Sequence, residues 1–320
     1  MGLLSAIFGN GKPEENQQEK QTQKNFEILK YDGIRAHNMN QLAYAAKCLE
    51  QASALRDDAE TLQYLADTYV KLQRTDDART TLDKLTGLEP DNIQGYLFLA
   101  NVCFAQEDYD GMDKACQKAI KLDESNAHAY YLAARAAHGL HNDLQAIVMA
   151  TKAITQDESF LSAYLLRAEV LWSMKQAKET LEDLDYILNA NPEEEDALLL
   201  KSTVKATLGE TDEAYRCLDL VMETNPFNEK AYLLKGELLC GQKAYGKAIE
   251  LYTEALELIP QNATFYQERG RVRLLEGDKN GSLEDLKKAI ELNPESESQI
   301  NGTFDNQDTL SGTQNPASIY

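Results

Sequence analysis

Apolar and small residues recur along this 320-residue chain with a period of 34. Seven consecutive segments, beginning at Ala59, Ile93, Ala127, Leu161, Glu195, Glu229 and Ala263 and ending at Ser296, repeat one pattern without an insertion. Counting each segment from 1, position 8 is always small: Ala66, Ala100, Ala134, Ala168, Ser202, Gly236 and Gly270. One turn earlier, position 4 is a large ring or leucine, as in Leu62, Tyr96, Tyr130 and Tyr232. In the second half of each segment, positions 20, 24 and 27 fall on one helical stripe, Ala248, Tyr252 and Ala255 being an example. Position 32 is Pro90, Pro192, Pro226, Pro260 and Pro294, with Glu124 and Glu158 in the other two segments. Proline there is expected to stop the second helix. The pattern predicts two helices per segment that cross where the small residue sits. A pair of this kind cannot bury its apolar face alone and must stack on its neighbours.

Tyr232, Gly236, Tyr245, Ala248, Tyr252, Ala255 and Pro260 resemble the signature of the tetratricopeptide repeat family. Gly33, Ala36, Ala45, Leu49 and Ala52 fit the same frame as a degenerate first repeat at 26–58, one residue short. The resemblance covers roughly residues 26–296. It implies an all-α, right-handed α-α superhelix of seven clear repeats (59–92, 93–126, 127–160, 161–194, 195–228, 229–262 and 263–296) plus the degenerate one. The chain departs from the family at position 11, where Lys205 and Arg273 replace a large apolar residue. Packing in those two repeats is therefore open to question.

In that family the first helices of successive repeats line the concave side of the superhelix. Positions 5, 9 and 12 form one column on such a helix. Here they supply a candidate partner-binding groove of Leu97, Asn101, Phe104, Tyr131, Arg135, His138, Leu165, Glu169, Trp172, Leu199 and Leu233. Apolar rungs with scattered polar groups suit an extended peptide or an amphipathic helix, with Phe104, Tyr131 and Trp172 as anchors. Tight curvature would instead turn the same side chains into ordinary core. One branch of the family clamps a chaperone's C-terminal carboxylate through Lys and Asn. Here Lys30 holds the first clamp position, but Ile34 and Tyr64 stand where the next residues should be, so that mode is not supported.

Two segments have arginine at position 7, Arg167 and Arg269, and both have an acid sixteen residues on, Asp183 and Asp285. Where position 7 is Lys201 or Lys235, position 23 is Cys217 or Leu251. This predicts an ion pair between the two helices of a repeat in the arginine repeats alone.

The formal charge is −21. Residues 1–24 carry three Lys against three Glu and residues 297–320 carry three acids and no base, so the repeats hold −18. An array this acidic repels phosphate backbones, and nucleic acid is excluded as a partner. The five cysteines, Cys48, Cys103, Cys116, Cys217 and Cys240, are odd in number and form no CxxC, so they read as buried apolar residues of a reducing, cytoplasmic compartment. His138 and His141 have HxxH spacing without a third ligand, which makes no metal site. Glycine-rich phosphate loops, nucleophile elbows and HExxH are all lacking. The chain thus reads as a protein-protein adaptor with no cofactor rather than as an enzyme.

At the start, Leu3, Leu4, Ile7 and Phe8 form one face of a two-turn helix, a hook on the polar tether 12–24. The hook could cap the first repeat, dock on a partner or a second copy in a homo-oligomer, or touch a membrane. Lys12 alone is too little charge to second it at a lipid surface. A self-assembling or membrane-peripheral element is thus the alternative function. Residues 297–320, poor in apolar side chains, read as a disordered polar tail.

Overall fold

The computed structural model describes residues 13–294. Among them the chain forms sixteen α-helices and no strand. The described residues divide into two compact parts that meet between Phe160 and Leu161 in sequence.

The N-terminal part holds α1 (Pro13–Asn38), α2 (Leu42–Leu55), α3 (Ala59–Lys71), α4 (Thr75–Leu88), α5 (Ile93–Ala105), α6 (Tyr109–Leu122), α7 (Ala127–Gly139) and α8 (Asp143–Gln156). The C-terminal part holds α9 (Leu161–Ser173), α10 (Ala177–Ala190), α11 (Glu195–Thr207), α12 (Thr211–Thr224), α13 (Glu229–Gly241), α14 (Tyr245–Leu258), α15 (Ala263–Glu276) and α16 (Lys279–Leu292). From α3 onward every first helix starts at position 1 of its segment and every second helix at position 17. Within each part a helix packs on its successor, and first helices also touch the next first helix, as in α5 with α7 and α11 with α13.

The core is the predicted stripe. Ala78, Met112, Ala146, Thr180, Ala214 and Ala248 at position 20, and Leu82, Cys116, Ala150, Leu184 and Leu218 at position 24, are fully buried. The small residue at position 8 is needed because position 24 lies against it. A Cβ added to Gly33 would stand 2.6 Å from Leu49, and one on Gly236 would run into the hydroxyl and ring of Tyr252.

Helix ends follow two local rules. The side chains of Asp58, Asn92, Asn126, Asn228 and Asn262 each accept a hydrogen bond from the backbone N–H three residues on, capping α3, α5, α7, α13 and α15. The turn inside every repeat passes through one left-handed residue, at Gln73, Glu107, His141, Lys175, Gly209, Lys243 and Gly277, with Asn40 as its counterpart after α1.

Proline proves dispensable as a stop. α6 and α8 end at the same register without it, because Asp123 and Asp157 accept from the N–H and hydroxyl of Ser125 and Ser159, closing a turn at once. Those bonds hold both carboxyls below the usual carboxylate range.

Residues 13–24, expected as part of a polar tether, belong to α1. Glu, Gln and Lys are good helix formers and Pro13 is tolerated in the first turn. Gln21 bonds Asn25 and Gln23 bonds Glu27 one turn on, while Arg56 from the end of α2 donates to Gln23. The hook residues Leu3, Leu4, Ile7 and Phe8, and the tail 297–320, lie outside the described residues.

The departures at position 11 are accommodated by charge. Lys205 pairs with Glu210 at 2.6 Å, and Arg273 bonds Asp285 at 2.9 Å and the carbonyl of Gly281. The arginines at position 7 make the expected pair bidentately: Arg167 Nε and Nη2 donate to Asp183 at 2.8 and 2.6 Å, and Arg269 to Asp285 at 2.9 and 2.7 Å. Both carboxylates are buried, with side chains 7% and 5% exposed. The lysines at position 7 are not idle. Lys201 reaches back to Asp185 of the preceding repeat at 2.7 Å and Lys235 to Asp219 at 2.5 Å. Arginine therefore ties the two helices of its own repeat, Arg269 also donating to Thr253 of the repeat before at 3.1 Å, whereas lysine ties its repeat to the one before alone.

Candidate binding surface

The groove residues separate by depth. Leu97 and Leu199 are 5% and 3% exposed and belong to the core, where Leu199 packs with Leu198, Leu218 and Val221. Both are closed off by that packing, so neither offers itself to a partner. Phe104, Tyr131, Arg135, His138, Leu165, Trp172 and Leu233 are half-buried, and Asn101 and Glu169 are exposed. Asn101 bonds the carbonyl of Leu97 in its own helix. His138 holds the carboxylate of Asp143 at 2.9 Å from Nδ1.

In the N-terminal part, five rings and a guanidinium gather on α5, the start of α6, α7 and the segment after α8. The Arg135 guanidinium carbon lies 3.7 Å from the centroid of Phe104 and 5.7 Å from that of Tyr131. Tyr131 tilts against Phe160 at 5.0 Å, His128 stands 6.1 and 6.2 Å from these two rings, and Phe104 meets Tyr109 edge-on at 6.2 Å. Burial first, and then the charge of Arg135, hold His128 below the usual imidazole range, so it is neutral at pH 7. Of this cluster the column supplies Phe104, Tyr131 and Arg135. Tyr109, His128 and Phe160 escape it because they stand at positions 17, 2 and 34 of their repeats, outside the column of positions 5, 9 and 12.

In the C-terminal part, a cleft of about 360 Å³ opens between α11 and α13. Thr203, Ala206 and Glu237, at positions 9, 12 and 9, line it together with Ser202, Thr207 and Leu238. The hydroxyls of Ser202, Thr203 and Thr207 donate to carbonyls of their own helix. Ser202 and Thr203 are buried, so the exposed Thr207 hydroxyl and Glu237 carboxylate are the acceptors that the cleft presents over its apolar floor. Trp172 is half-buried on α9, with Lys175 Nζ 5.3 Å from its ring.

Models of the tetratricopeptide repeat match residues 65–111, 199–263 and 263–296. The chain is a tetratricopeptide repeat protein. Proteins of this family generally bind protein or peptide partners and serve as non-catalytic scaffolds. Among solved structures, a tetratricopeptide repeat protein from Parabacteroides merdae is 17% identical at a TM-score of 0.59, the match covering 77% of this chain and 97% of that one. The Pseudomonas aeruginosa pilF protein is 13% identical at a TM-score of 0.54, over 68% and 99% of the two chains. At such identities the likeness is one of fold. No curated protein matches this repeat protein. Among the described residues, no helix is long and apolar enough to cross a membrane.

Proposed function

We propose that this protein is an adaptor that holds a peptide or a helix of a partner against the exposed sides of its first helices, in a reducing, cytoplasmic setting. The cleft between α11 and α13 carries the reading: its walls come from column positions, and it offers hydrogen-bond acceptors over aliphatic side chains, as an extended peptide with its N–H groups requires. The half-buried Trp172 and Leu165 supply apolar anchors on α9. The five free cysteines suit the setting, since four of them are buried. Burial raises their Cys103, Cys116 and Cys217 thiols, Cys116 to about 12, which keeps them unreactive.

The test compares the wild-type chain with Leu165→Asp/Trp172→Ala in affinity purification from native lysate, after circular dichroism shows the variant folded. Specific partners should vanish with the variant. Partners that persist would place the contacts elsewhere and overturn the reading.

A second reading, self-assembly, has one observation in its favour. Ile28 and Leu55 are 50% and 41% exposed and border a shallow apolar cleft between α1 and α2. Sedimentation velocity across a concentration series decides it, a monomer throughout being the outcome that removes it.

A further inference from the structure

The chain has ten arginines, all within the described residues. Nine of them lie within ion-pair distance of a carboxylate, from Arg35 on Asp32 to Arg273 on Asp285. Arg135 alone, among the described residues, pairs with no acid. Its own helix explains why: one turn away in either direction stand Tyr131, Leu132, His138 and Gly139, and α5 opposite presents Leu97, Asn101 and Phe104. Arg271, at the same position 9 of a later repeat, is neutralised by Glu268 at 2.8 Å.

The unpaired guanidinium is nonetheless held in place. Its central carbon lies over the Phe104 ring, 3.7 Å from the centroid, and 5.7 Å from that of Tyr131. Stacking uses the face of a guanidinium and leaves the N–H groups in its plane, the edge that matches a carboxylate bidentately. Holding a long side chain on a ring before a partner arrives also lowers the ordering cost of binding. The neighbouring His128 is neutral and supplies no counter-charge.

We propose that Arg135 is a carboxylate-binding residue, which receives an acidic side chain of an extended partner peptide while Tyr131 and Phe160 take the apolar residue beside it. The proposal rests on the peptide-binding reading and adds the chemistry of the peptide. Charge complementarity selects the occupant. A single guanidinium balances one carboxylate, whereas a phosphate dianion would leave excess negative charge beside a chain of −21. A basic side chain would be repelled at this point. On so acidic a surface an unquenched cation also fixes register, because an acid of the partner is tolerated here and opposed elsewhere.

The experiment uses the full chain and two labelled probes, acetyl-Phe-Asp-Leu-Phe-amide and its counterpart with Asn for the one acid. Affinities are measured by anisotropy for wild type, Arg135→Gln and Arg135→Lys, and the Arg135 Nε–H resonance is followed by NMR. The acidic probe should bind about tenfold more tightly than the amide probe, the scale of a lost charge-assisted pair. Arg135→Gln should abolish that difference and Arg135→Lys restore only part of it, while the Nε–H resonance shifts saturably with the acidic probe. Equal binding of both probes would overturn the assignment and leave the peptide site standing. Binding of neither probe, with an unmoved resonance, would overturn it as well. Inorganic phosphate moving the resonance at lower concentration than the acidic probe would reassign Arg135 to phosphate.

Discussion

At Gly236 a single hydrogen separates α13 from α14. Alanine there drives its methyl into the hydroxyl and ring of Tyr252, which is 1% exposed and has no room to retreat. Gly236→Ala is expected to cost about 2 kcal/mol, within the usual range for overpacking, and to lower the urea midpoint without changing the slope. The pair Asp58 and Lys30 makes a second prediction. Burial pushes the Asp58 carboxyl up, but hydrogen bonds from Lys30 and from the hydroxyl and N–H of Thr61 outweigh it and hold the group at about 2. A folded-state value below the unfolded one contributes stability that is complete above the ordinary carboxylate range and is lost as pH falls towards 2. Acid titration of stability should therefore lose about 2 kcal/mol between roughly pH 5 and pH 2 in the wild type beyond what Asp58→Asn loses. The small residue of Gly236 is legible from its period alone. The depression at Asp58 is not, because it needs Lys30, twenty-eight residues away, to fold back onto the cap.

At the scale of the element, the turn inside each repeat matters most. Its left-handed residue is glycine only at Gly209 and Gly277; Gln73, Glu107, His141, Lys175 and Lys243 adopt φ of 56–61° at the cost of Cβ crowding. Lys175→Gly and Gln73→Gly should each stabilise the chain by about 0.5–1 kcal/mol in chemical denaturation, whereas glycine at an ordinary helical position would destabilise it. The helices themselves were legible because amphipathic spacing, small crossings and terminal Asn or Asp repeat in register. The continuation of α1 back to Pro13 was not. A polar run of Glu, Gln and Lys without an apolar stripe looks like a tether until a second helix end, here Arg56 on Gln23, gives it something to lie against.

For the whole molecule, neighbour-only packing sets the expectation. Within the C-terminal part each helix touches the next, and α11 also touches α9 and α13, so a defect should spread little further. In hydrogen exchange, Gly236→Ala should lower protection in α13 and α14, less so in α12 and α15, and leave α9 and α10 near wild type. Uniform loss across α9–α16 would mean that this part opens as one cooperative unit.

The helical repeat, its register, the core stripe and the pairing of Arg167 with Asp183 and Arg269 with Asp285 were all legible in the sequence, because each depends on spacing within one or two turns or within one repeat; that the pairs are bidentate was not. Tertiary structure alone decided that Leu97 and Leu199 are core while Trp172 and Tyr131 are half-open. Leu97, Leu165, Leu199 and Leu233 are the same residue at the same position 5, yet two are buried and two half-buried, a difference of packing that the spacing does not carry. It also decided that Lys201 and Lys235 reach backwards to the preceding repeat, and that Arg135 meets a ring and no acid. Partners such as these are joined by the stacking of repeats, which brings together residues that no local pattern relates.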